Sequence, residues 1–278
     1  QWTQEQQVAY QYSAREHGLV LAVLRDAIQR FSIDTDRVFL TGHFSGGDAA
    51  WDIGLAHPSL WAGVIVISGR SDKYCTYYWE NAAHVPFYIV QGELDGTSMP
   101  DNARDLDRYL NRAFDVTVVE YMGRGRDPFF DEILRLFEWM SYKQRNPAPT
   151  DFTARSMRAF DDFFWFIELA DMPPAVITPP VNWPPRNPTP LVVRGRIPSP
   201  NTLLLQVGSA RSIIGLGPEF VDFDKRLAVT INAQRVDTRD VQPDIEVLLE
   251  DVRRRGDRQH PFWAKIETAT GRVSGKRP

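Results

Sequence analysis

A chain of 278 residues, 43% hydrophobic and 24% charged, has the composition of a folded globular protein and the length for two cores of ordinary size. Its formal net charge of -4 gives no electrostatic reason to bind DNA or RNA, since phosphate neutralisation needs a clustered basic surface, and no nucleic acid partner is expected. The single cysteine, Cys75, excludes an intrachain disulfide and a cysteine-rich zinc site. No apolar run approaches the roughly 18–20 residues that span a bilayer, and Gln1, Trp2, Thr3 and Gln4 lack a signal peptide's charged and apolar regions, which leaves the compartment open.

Along residues 1–145, helical and strand-like patterns alternate, as they do in a parallel sheet flanked by helices. Ser13 and Glu16 have the spacing of a capping box, and Leu21, Leu24, Ile28 and Phe31 follow at helical intervals. Residues 37–41 read as a short buried strand that ends at Gly42 and turns sharply into a helix through Ala49, Ala50, Trp51 and Ile53. Residues 61–67 and 85–90 read as the next two strands, with a polar aromatic stretch between them. A helix through Ala103, Leu106, Leu110 and Phe114 leads to a fourth strand at 116–121, a loop at 123–126, and a helix holding Ile133, Leu134, Phe137 and Met140.

The pattern then changes. Ten of the chain's twenty prolines fall between residues 171 and 200, where no long helix can persist. Residues 162–169 read as a strand, and 190–196, 202–207, 227–231 and 245–249 as short β-type runs, which together predict a small all-β, sandwich-like domain. The boundary is placed near residues 143–149, giving a first domain at 1–145 and a Pro-rich linker with the β-domain at 146–278.

The segment Phe39-Leu40-Thr41-Gly42-His43-Phe44-Ser45-Gly46-Gly47-Asp48 carries the frame Gly-x-x-x-Gly at the end of a strand and the start of a helix. It resembles the nucleophile elbow of the α/β-hydrolase superfamily, where Gly-x-Ser-x-Gly places a serine on a strained turn. Ala49-Ala50-Trp51-Asp52, His57-Pro58, Trp61-Ala62-Gly63-Val64 and Ile67-Ser68-Gly69 extend the likeness to bacterial secreted-esterase and prolyl-oligopeptidase-like members, over roughly residues 13 to 141. The resemblance implies the C-terminal half of such a domain, with Phe44 where the nucleophile belongs.

It further implies that Asp95, in Gly92-Glu93-Leu94-Asp95-Gly96, stands at the acid position, and that Arg126, or alternatively Pro128, stands where the histidine should be. An arginine stays protonated near neutral pH and a proline has no ionisable group, so neither serves as a general base. Losing either the serine or the histidine of a related triad costs roughly 10⁶ in turnover. A one-residue slip that makes Ser45 the nucleophile stays open, as does a solvated turn role for Asp95, a surface role for Arg126, and an ion pair between the two.

The leading expectation is a catalytically degenerate hydrolase-fold protein, a pseudoenzyme acting in binding, scaffolding or assembly. The alternative is an active serine esterase or peptidase that uses Ser45 or residues from elsewhere. Residues 1–38 are expected not to supply the early strand and oxyanion-hole loop. The strand ending at Gly42 would then be an edge, covered by a protein partner, by a second copy or by upstream sequence. Phe163, Phe164, Trp165 and Phe166 read as core, Trp183 and Trp263 as further aromatic surface, and Arg255-Gly256-Asp257 as a solvated loop or helix end. No metal-ligand spacing or phosphate loop is seen, and no cofactor is expected.

Overall fold

The computed structural model describes residues 9–96, 98–268 and 273–274. Helix α1 (Ala14–Arg30) opens with the expected capping box. The Ser13 hydroxyl accepts from the Glu16 N–H, and the Glu16 carboxylate accepts from the Ser13 N–H, which satisfies two amides that the helix start leaves orphaned. Ile28 is buried and Leu21 and Leu24 are half-buried, whereas Phe31, expected on the same face, is the extended C-cap residue and lies exposed.

Strands β1 (Phe39–His43), β2 (Gly63–Ile67), β3 (Phe87–Gly92) and β4 (Val116–Tyr121) form a parallel sheet in that spatial order. Parallel neighbours need crossovers, and helices α2 (Ser45–Ala56), α3 (Cys75–Tyr78) and α4 (Ser98–Asn111) lie within them, with α5 (Ile133–Ser141) following β4. Both faces are covered. Val64, Val66, Phe87 and Ile89 join Trp51 in one apolar cluster, while Ile65, Tyr88 and Val90 join Phe129 and Leu136 in another. This strand-by-strand alternation is the period of two expected of a sheet buried on both sides. A parallel sheet with flanking helices is the α/β arrangement expected of residues 1–145. Strand β1 begins two residues later than expected because Thr35–Arg37 form a 3₁₀ turn capped by Asp34. Among the described residues β1 is an edge of its sheet.

The rest of the chain holds β5 (Asp151–Ser156), β6 (Phe163–Phe164), β7 (Ile167–Leu169), β8 (Leu191–Ser199), β9 (Thr202–Gln206), β10 (Ser212–Leu216), β11 (Ala228–Ile231), β12 (Gln234–Val236), α6 (Ile245–Arg255), β13 (Ala264–Glu267) and β14 (Val273–Ser274). They form two five-stranded sheets, ordered β12-β11-β9-β8-β5 and β14-β13-β10-β7-β6. Ala154, Val193, Leu203 and Val229 of the first and Phe164, Ile167, Ile214 and Ile266 of the second are buried in one cluster.

Two expectations fail here. Residues 162–169 are not one strand: Trp165 adopts φ 56°, and β6 and β7 fold back on each other as an antiparallel pair. Residues 245–249 are helical, so this part of the chain is not all β. The Asp244 side chain caps the Glu246 N–H, Arg253, Arg254 and Arg255 occupy the last turn, and Gly256 closes the helix at φ 79°. Start and stop signals thus override the β-type residues Ile245 and Val247.

Candidate functional site

The turn between β1 and α2 is strained. Phe44 lies at φ 55° and ψ -121°, outside the regions that side chains ordinarily tolerate, and its N–H donates to the Ile67 carbonyl at 3.0 Å. The backbone doubles back so sharply that a Cβ on Gly42 would stand 1.8 Å from the Gly46 carbonyl oxygen. Gly46, the other glycine of the frame, has open space around it. The second steric demand falls instead on Gly47, where a Cβ would stand 2.9 Å from both the Gly69 Cα and the Ile67 carbonyl oxygen. Ser45 is exposed as the first residue of α2, and no hydrogen bond joins it to a histidine among the described residues.

Phe44 has cationic and aromatic neighbours. The Arg126 guanidinium lies 5.4 Å from its ring centroid, and the His43 ring stacks on it at 3.8 Å while donating to the Asp127 carbonyl. Arg126 Nε also donates to Asp95 Oδ1 at 3.1 Å. Asp95, Arg126 and Phe44 therefore touch in sequence. Of the two candidate positions in the 121–130 loop, Arg126 is the one that bonds Asp95.

A second polar constellation went unnoticed in the sequence. His17, Asp52, His57, Arg158 and Asp161 are all buried, where α1, α2 and the segment after β5 meet. Arg158 donates to both oxygens of Asp52, at 2.8 and 3.1 Å, and its Nε donates to Asp161 Oδ2 at 2.6 Å. Its guanidinium also lies 4.0 Å from the Tyr74 ring centroid. His17 Nε2 meets Asp52 Oδ2 at 2.9 Å, and His17 Nδ1 meets His57 Nε2 at 3.1 Å. Burial alone would raise the Asp52 carboxyl, yet the charge of Arg158 and the hydrogen bonds from His17 and Arg158 hold it well below the usual carboxylate range. Burial pushes the Asp161 carboxyl up and the His57 imidazole well down, so His57 is neutral near pH 7. The signal for this cluster was His17 itself, one helical turn before Leu21 on the apolar face of α1, and its partners came only with the fold.

Other motifs resolve simply. Asp257 of the Arg-Gly-Asp triplet is buried and accepts from Arg145, which also bonds Asp36 at 2.9 Å, so the triplet braces a junction between the two parts of the chain. Phe164, Trp165 and Phe166 are core residues. Trp183 packs 4.8 Å from Tyr74, and Trp263 stacks 5.9 Å from Phe223, each half-buried against a different aromatic partner. No helix among the described residues is long and apolar enough to cross a membrane.

No protein-family model matches the chain, and no curated protein does. Among solved structures, a thermostable esterase is similar at a TM-score of 0.41 and 19% identity, with 47% of this chain and 37% of that one covered. The esterase PE8 is similar at 0.39 and 19%, covering 45% and 59%. SOBER1 of Arabidopsis thaliana is similar at 0.38 and 20%, covering 45% and 61%. The matched region thus spans less than two thirds of each of these proteins.

Proposed function

We propose that this chain is a catalytically degenerate member of the α/β-hydrolase-like class that acts in binding, scaffolding or assembly. One observation carries the reading: the three places where a hydrolase would set nucleophile, base and acid hold a phenylalanine, an arginine and an aspartate, with the arginine in contact with each of the other two. Phe44 occupies the strained turn and has no nucleophilic atom. Arg126 stays charged and removes no proton, and Asp95 neutralises that charge instead of orienting an imidazole. The exposed Ser45, on the first turn of α2, has no base to activate it among the described residues. We further propose a division near residue 145 into a hydrolase-like domain and a sandwich-like domain, with a protein partner or second copy bound at the β1 edge.

Labelling with a fluorophosphonate serine-hydrolase probe tests the catalytic part of the reading. The folded chain is expected to remain unlabelled, as is its Ser45→Ala variant. Labelling that depends on Ser45 would establish the active alternative and end this proposal.

A further inference from the structure

The buried cluster contains an unsatisfied acceptor. Asp161 Oδ2 accepts from Arg158 Nε and from the Tyr78 hydroxyl at 2.7 Å, but Asp161 Oδ1, fully buried, meets no hydrogen-bond donor among the described residues. A buried carboxylate oxygen without a partner is costly, and native proteins leave few such atoms. This oxygen lies 3.9 Å from His17 Nδ1, on the side where the two imidazoles face each other. His17 Nδ1, His57 Nε2 and Asp161 Oδ1 all lie within 4.8 Å of one another.

We propose that these three atoms form a structural site for a divalent cation of the zinc class, a site distinct from the degenerate elbow. Zinc takes imidazole nitrogen at about 2.0–2.1 Å and carboxylate oxygen at about 2.0–2.2 Å, so tetrahedral donors stand roughly 3.3 Å apart. The 3.1 and 3.9 Å separations lie close to that spacing, and the third, from His57 Nε2 to Asp161 Oδ1, is at most 4.8 Å, so side-chain rotation must draw Asp161 and His57 together on binding. The surrounding groups fit as well. Asp52 accepts from His17 Nε2–H, which leaves the Nδ1 lone pair directed at the site, and Arg158 fixes Asp52 in turn. A carboxylate behind a ligating histidine is the usual outer support of a metal site. Charge points the same way: Asp52 and Asp161 carry two negative charges against the single positive charge of Arg158.

The three donors come from α1, from the residue after α2, and from the segment after β5, so a bound cation ties the N-terminal helix to the start of the second part of the chain. His57 also lines a cavity of about 810 Å³ with Leu24, Ile28, Phe160 and Phe166, so one of the three ligand residues borders open space. The competing arrangement is a plain hydrogen bond from His57 Nε2 to His17 Nδ1. It leaves Asp161 Oδ1 without a donor among the described residues.

The experiment uses the full chain, stripped with chelator and titrated calorimetrically with zinc chloride. One equivalent is expected to bind with a dissociation constant below about 1 μM, and to raise the melting temperature. His57→Leu and Asp161→Asn, each checked for folding by circular dichroism, are expected to weaken binding by about 100-fold or more. X-ray absorption at the zinc edge of the loaded wild-type chain should show scattering from two imidazoles, a readout that survives if either variant fails to fold. Substoichiometric binding, affinity unchanged in a folded variant, or a zinc spectrum without imidazole scattering each overturns the proposal.

Discussion

Arg126 donates to Asp95 across 3.1 Å while its guanidinium covers the ring of Phe44, so one arginine fills the space between an acid and a side chain that cannot attack. The Asp95 side chain is 4% exposed and that of Arg126 49%, which makes the pair a half-solvated one. Such pairs contribute little, and much of what a variant loses comes from the buried carboxylate rather than from the arginine. Asp95→Asn is expected to destabilise the chain by about 1 kcal/mol and to loosen the 121–130 loop, measured by urea unfolding and amide exchange. Unchanged stability together with unchanged exchange in the loop would count against a plug at this site.

The same contacts predict how activity could be installed. On the proposed reading Phe44 has the strained backbone of an elbow, and Asp95 bonds Arg126, whose guanidinium lies over the Phe44 ring. Phe44→Ser alone should stay unreactive, since Arg126 accepts no proton. Phe44→Ser combined with Arg126→His should label with a fluorophosphonate at least about tenfold above the unsubstituted chain. If the single variant labels as well as the double, Arg126 is not in the base position.

The glycine frame separates two steric situations that the sequence made equivalent. At Gly42 an added methyl group meets the Gly46 carbonyl at 1.8 Å, a backbone collision that no rotamer relieves. Gly42→Ala should therefore cost about 3 kcal/mol or more, or prevent folding. Gly46 is the second residue of α2 and has nothing near it, so Gly46→Ala should be neutral or stabilise by about 0.5–1 kcal/mol through helix propensity. Thermal melts of the two variants decide the matter.

How much of this was legible follows from the range of each interaction. The capping box at Ser13 and Glu16, the four parallel strands and the sharp turn at Gly42 are local patterns, and they occur close to where the residues place them. Helix α6 was missed because Ile245, Val247, Leu248 and Leu249 look like strand residues until Asp244 and Gly256 are weighed as cap and stop. The β6–β7 turn was missed because a left-handed Trp165 has no turn signature of its own. Asp95 and Arg126 could be set side by side through the family resemblance, whereas His17 and His57 are forty residues apart and meet only through the packing of α1 on α2.

His260 offers a pH test of the junction. Burial pulls its imidazole down, but hydrogen bonds to Asp36 and Glu219 outweigh this and raise its pKa above the ordinary value. A group raised in the folded state stabilises fully below its unfolded pKa, and the contribution fades as pH climbs through the folded value. His260→Gln should therefore cost up to about 1 kcal/mol at pH 5.5, discounted for its partly solvated position, and close to nothing at about pH 9. Urea titrations of both chains at the two pH values check the sign. A penalty that grows with pH contradicts it.

The edge of the parallel sheet bears on the proposed partner. β1 has a neighbour on one side only among the described residues, and the end of α5 lies against it, with Trp139 5.9 Å from Phe39 and Arg37 donating to the Ser141 carbonyl. The outer face of α5 is apolar and exposed, carrying Phe130 just before the helix and then Ile133, Leu134 and Phe137. Unpaired strand groups beside an exposed apolar helix face are what a second polypeptide covers, and a twofold pairing would bury the same patch on both copies. Sedimentation velocity at micromolar concentration should therefore show a dimer, and Leu134→Glu with Phe137→Glu should convert it to a monomer without loss of the circular dichroism signal. A monodisperse monomer before substitution removes self-association from the reading and leaves a different chain or upstream sequence to cover that edge. A dimer untouched by the two charges moves the interface elsewhere.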